Sequence, residues 1–222
     1  MKTSDLIQSL AANVAPVKRL RPPLLRAGFW LLLAAIIVGL LTISHGLRPQ
    51  FAERMRDVTF ATGMFASLLT GVLATIATFQ LSLPDRSRLW VLLPAPSLVV
   101  WLCNIGYQCF DGWVAVPPGS ITVEGATSCV ATLVLTSLPL SLVMMVMLRY
   151  SALLRPVTVT LVGSLAVSAI TSVALTMFHP LDATAMVLGW NLGTAVLFTG
   201  AAALIGRKFS RRHGRLSRPT KD

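Results

Sequence analysis

The sequence predicts an all-α membrane protein, a polytopic six-transmembrane-helix bundle with both termini in the cytoplasm (N-in/C-in), on three observations. Of 222 residues, 55% are hydrophobic and only 12% are charged, about half the charged share of a soluble domain. The apolar residues are gathered into six runs of 18 or more without an interior Asp, Glu, Lys or Arg, each long enough to cross a bilayer. Finally, Lys and Arg fall almost entirely on one side of alternate runs, as the positive-inside rule requires. A mean hydropathy of +0.74 agrees with this reading.

The chain divides into a cytosolic amphipathic segment at residues 1–23, a transmembrane domain at 24–206 and a basic cytosolic tail at 207–222. In the first segment Thr3 or Ser4 caps a helix and Asp5 suits its positive end. Leu6, Ile7, Leu10, Val14 and Val17 follow at helical spacing, and Arg21-Pro22-Pro23 closes the stripe. Such a stripe lies on a membrane surface or fills a partner's groove. From the residues alone, membrane contact is the first reading.

The spans are expected at 27–44, 58–81, 89–108, 128–148, 157–178 and 183–205. The first is not expected to be a cleaved signal peptide: Ser44-His45-Gly46 leads into Leu47-Arg48 with no small-residue cleavage pattern, and further spans follow. Arg48-Pro49-Gln50 and the charged stretch from Glu53 to Asp57 separate the first two spans. Pro84-Asp85-Arg86-Ser87-Arg88 ends the second, and Pro117-Pro118-Gly119 follows the third. Arg149 to Pro156 ends the fourth and His179-Pro180-Leu181-Asp182 the fifth. Pro94, Pro96 and Pro139 read as packing kinks, which a membrane helix tolerates when neighbours satisfy the freed carbonyls.

With the N-terminus inside, the inner segments hold 16 of the 19 basic residues, leaving Arg48, Arg54 and Arg56 outside. Because the basic residues flank spans, the net charge of +11 points to anionic lipid headgroups and not to direct contact with nucleic acid. Serines, threonines and glycines recur in the second, fifth and sixth spans, suiting close helix packing.

Motifs for catalysis are missing: there is no H-x-x-x-H, C-x-x-C, G-x-S-x-G or P-loop spacing. No enzymatic activity and no cofactor are therefore expected. A small six-helix transporter or permease subunit is the alternative, but intramembrane charge or an internal repeat would favour it and neither is found. A membrane thiol oxidoreductase would need the C-x-x-C pair. Cys109 and Cys129 fall at the outer ends of the third and fourth spans, joined by a loop of about twenty residues. A pair there is a candidate for redox or metal sensing or for a structural disulfide, since thiols oxidise outside the cytoplasm; the plainer reading is two small apolar fillers. Cys103 reads as a packing residue. His179 with Asp182 offers too few ligands for a firm metal site, and no metal site is firmly assigned; the two residues are a secondary sensing candidate.

The chain resembles the NrsF-type six-helix membrane anti-sigma factors over nearly its whole length. The resemblance runs through Met1-Lys2-Thr3, Leu6-Ile7, Leu10-Ala11 and Pro16-Val17-x-Arg19, then Ser128-Cys129 and Leu138-Pro139-Leu140. It continues through Leu148-Arg149, Leu154-Arg155-Pro156, His179-Pro180-x-Asp182, Trp190-Asn191-x-Gly193 and Gly206-Arg207. It implies an anti-sigma factor of the bacterial inner membrane that sequesters an extracytoplasmic-function sigma factor and frees it on periplasmic redox or metal stress. Thr3, Asp5, Leu6, Ile7 and Leu10 become the expected sigma-binding residues. Cys129 matches a cysteine position of the family and Cys109 another, whereas Phe178-His179 stands where some members carry a further cysteine.

Overall fold

A computed structural model describes residues 21–48, 51–113, 123–149 and 155–178, with the isolated positions Thr3, Gln8, Gly193 and Val196. The described elements are all helical. They are α1 (Pro23–His45), the short α2 (Phe51–Arg54), α3 (Val58–Leu81), a 3-10 turn (Arg88–Leu92), α4 (Ala95–Trp113), α5 (Val123–Leu148) and α6 (Pro156–Phe178). Among the described residues five stretches are long and apolar enough to cross a membrane: Pro23–His45, Val58–Leu81, Arg88–Tyr107, Ala131–Leu148 and Pro156–Met177. The expected sixth span at 183–205 lies outside the described residues, except that Gly193 and Val196 are helical.

Local chemistry sets the boundaries. Pro23 occupies the first turn of α1, where its missing N–H costs nothing. The helix stops at Gly46, whose φ of 79° suits a residue without a Cβ. Beyond it the amide of Arg48 donates to the Met177 carbonyl at 2.9 Å, fastening this turn to the end of α6. Asp57 caps α3 by accepting from the Thr59 amide at 2.9 Å. The charged stretch ahead of it, read as a plain break, forms α2, and Phe51 meets Phe60 edge to face at 6.3 Å.

The third span departs from the continuous helix expected at 89–108. Pro94 has no amide to donate and restricts Leu93, so the 3-10 turn ends at Leu92 and α4 begins anew at Ala95. Pro139, by contrast, is accommodated inside α5.

At the centre, α3 lies along α6. α1 rests on α3, α5 and α6, while α4 packs on the flank of α3 and α5 on α6. Burial follows this order: 67% of the most apolar window of the α6 span is buried, against 17% for the third span. Lipid is as apolar as leucine, so close fit and not water exclusion must hold such helices together. The fit is closest where small residues meet. A Cβ on Gly71 would lie 2.7 Å from Ile170 Cδ1, and one on Gly163 would lie 3.4 Å from Thr78 Cγ2. Two buried hydroxyls of this seam bond within their own helix: Thr75 donates to the Gly71 carbonyl at 2.7 Å and Thr78 to the Ala74 carbonyl at 2.7 Å. Outward, α1 exposes Leu32, Ile36, Leu40 and Ile43, a leucine-rich stripe of the kind that faces acyl chains.

Candidate functional site

One end of the bundle collects Arg21, Arg26, Arg86, Arg88, Arg149 and Arg155, where α1 and α6 begin and α3 and α5 end. The opposite end carries Arg48, Arg54 and Arg56 beside Glu53 and Asp57. The first is the basic end. Its centre is Arg26.

Arg26 lies in the first turn of α1, because Pro22 and Pro23 start that helix ahead of the expected span. Counted in the sequence among the basic residues of the inner segments, it is only 6% exposed. Its guanidinium sits over the Phe79 ring, 5.1 Å from the centroid, and donates to the carbonyl of Met147 near the end of α5. An arginine suits this place: its planar group stacks on an aromatic face and still offers N–H donors at its edge. One side chain thereby joins the helix that follows the N-terminal segment to the ends of α3 and α5. Four residues further on, the Trp30 indole N–H donates to the Leu140 carbonyl at 3.3 Å, so α1 holds α5 at two levels. Arg21 covers Phe29 at 5.6 Å. Beside Phe79, Gln80 is buried and its Oε1 has no hydrogen-bond partner.

No pattern of spacing announces Arg26. The usable signal was Pro22-Pro23, which places the next arginine inside a helix, with Phe29 and Trp30 showing that this part of α1 packs.

Of the expected sigma-binding residues, Thr3 is helical and exposed, while Asp5, Leu6, Ile7 and Leu10 lie outside the described residues. The same is true of His179 and Asp182. Cys109 belongs to α4 and Cys129 to α5, both toward the end opposite Arg26; their side chains are outside the described set. α4 packs on α3, whereas α5 packs on α6 and α1. Cys103 is exposed, so it does not fill the core as expected: its face of α4 points away from α3. Asn104, the next residue, does the packing and donates to the Thr59 carbonyl at 2.9 Å.

Among the described residues no group of three or more His, Cys, Asp or Glu side chains is placed to hold a metal ion. No curated protein and no solved structure matches the chain. A family model described as NrsF, negative regulator of sigma F, matches residues 10–211. With nearly the whole chain inside that match, the protein belongs to the NrsF family.

Proposed function

We propose that this protein is an inner-membrane anti-sigma factor that sequesters an extracytoplasmic-function sigma factor and releases it on periplasmic redox or metal stress. The observation that carries the reading is the family match over residues 10–211, on a chain whose described residues include five stretches long and apolar enough to span a bilayer. The sixth helix at 183–205 and the cytoplasmic placing of both termini complete the proposed topology. The partition of basic residues supports that placing.

In this reading the segment at 1–23 holds the sigma factor, with Leu6, Ile7 and Leu10 as apolar anchors and Thr3 and Asp5 starting their helix. The family match begins only at residue 10, so support for Thr3 to Ile7 is the helical spacing of Leu6, Ile7 and Leu10 and the resemblance carried by Met1-Lys2-Thr3 and Leu6-Ile7. Arg26 gives the segment a fixed exit from the bundle. Cys109 and Cys129 are the proposed sensing pair, with His179 and Asp182 in reserve. Because α4 and α5 flank different helices, a bond or metal joining these cysteines must act across or around α3. The basic tail at 207–222 rests on anionic headgroups.

The test is replacement of Leu6 and Leu10 together by Glu. Each buried anchor contributes about 1.5–3 kcal/mol, so sigma-dependent transcription in unstressed cells should rise to the level of a strain lacking the protein. Full repression at normal protein abundance would remove this segment from the binding site.

A further inference from the structure

Apart from the Arg26 contacts, the basic end holds a cleft of about 370 Å³ between the end of α3, the 3-10 turn and the start of α6. Its walls include Leu81, Arg88, Val91, Arg155, Pro156 and Val157. Two arginines therefore line an otherwise largely apolar hollow, and among the described residues no acidic side chain lines it. Arg155 is half-buried and its Nη1 donates to the Arg86 carbonyl at 3.3 Å. That bond uses one of five guanidinium N–H groups and fixes the head at the cleft wall. The first turn of α6 adds backbone amides that have no partner within the helix, at its positive end.

We infer that this cleft is a binding site for an anionic phospholipid, its phosphate between Arg88 and Arg155 and its glycerol end on Leu81 and Val91. The position identifies the occupant. Leu81, Arg88 and Pro156 mark the ends of three candidate spans, so the cleft opens at headgroup depth. Its apolar side continues onto Val157, 49% exposed, and onto exposed Leu89 and Leu92 of the 3-10 turn, a path for acyl chains. A soluble acidic peptide has no use for that greasy continuation. The inference needs neither the sensing pair nor the sigma factor and goes beyond both.

The full chain, purified in detergent, is titrated with phosphatidylglycerol and separately with phosphatidylethanolamine of the same acyl chains, and bound lipid is counted by native mass spectrometry. At about 1 kcal/mol for each arginine near an anionic surface, two arginines give about a thirty-fold preference for phosphatidylglycerol. Arg88→Gln with Arg155→Gln should abolish it, whereas Arg21→Gln with Arg149→Gln, which removes equal charge from the same end, should keep most of it. Val157→Phe, which crowds the cleft without changing charge, should also reduce the first bound lipid, so the inference stays testable if the arginine pair folds poorly. Equal losses in the two double variants would show a general charge effect and overturn the site. So would the absence of any preference in the wild-type protein. A cleft variant that keeps its lipid selectivity but loses sigma-factor capture would make the cleft a protein contact instead, and the lipid site would fall.

Discussion

Replacing Arg26 by Ala is the most direct perturbation of the basic end. It deletes a charged donor to the Met147 carbonyl, a bond of about 1.5–3 kcal/mol. It also deletes a guanidinium 5.1 Å from the Phe79 centroid, a contact of about 1–2 kcal/mol when largely desolvated. Relief of the cost of holding a charge out of water offsets part of this, so the net loss should be about 2–3 kcal/mol. Unfolding of the purified protein in mixed micelles with rising dodecyl sulfate, followed by helical circular dichroism, measures it. Phe79→Leu alone should lose less. The double variant should lose less than the sum, with a coupling of about 1 kcal/mol between the two positions. Arg26→Lys keeps the charge but not the planar stack, and should fall between wild type and Ala. A coupling energy of zero, with both single variants folded, would refute the stacked contact; an Arg26→Ala protein as stable as wild type would refute the whole arrangement.

Gly71→Ala should destabilise by about 1–3 kcal/mol, since its Cβ would stand 2.7 Å from Ile170 Cδ1. Adding Ile170→Ala should cost less than the two changes summed, and strict additivity in the same unfolding assay would contradict the close approach. Reporter fusions after residue 20 and after residue 210 should both read cytoplasmic; an external reading from either overturns the six-span, N-in/C-in topology. Cys129→Ser should abolish induction by the stress and leave basal repression, while Cys103→Ser should do neither. Normal induction in Cys129→Ser cells would move the sensor elsewhere, first to His179 and Asp182.

The spans were legible because lipid imposes a coarse rule. A run without charge crosses and a cluster of Arg, Asp and Pro does not, so Val58–Leu81 and Pro156–Phe178 lie within a residue of expectation. Details set by partners distant in sequence were not legible. Arg26 looks like any juxtamembrane arginine until Phe79 and Met147 are brought to it. Cys103 reads as packing because it lies well inside its span, and only the position of α3 decides which side packs. Pro94 was read as a kink, but together with Pro96 it leaves too few amides to carry a helix through, and the span is broken there. Of the candidate site, Cys109 and Cys129 lie inside helices that run past the span ends expected at 108 and 128, to Trp113 and from Val123, and most of the proposed sigma-binding stripe lies outside the described residues.

The close approaches between α3 and α6 have a mechanical consequence. Ile170 fits the notch at Gly71 on α3, and Thr78 fits the notch at Gly163 on α6. In each helix tooth and notch are seven residues apart, about 10 Å along the axis. Because each helix offers one tooth and one notch, a slide in either direction drives both teeth out of their seats together. Small displacements therefore meet a double barrier, even though the Thr75 and Thr78 hydroxyls bond within their own helix and would not resist sliding. The pair acts as a rigid keel. Among the described helices, α1, α4 and α5 are the ones left to rock against that keel.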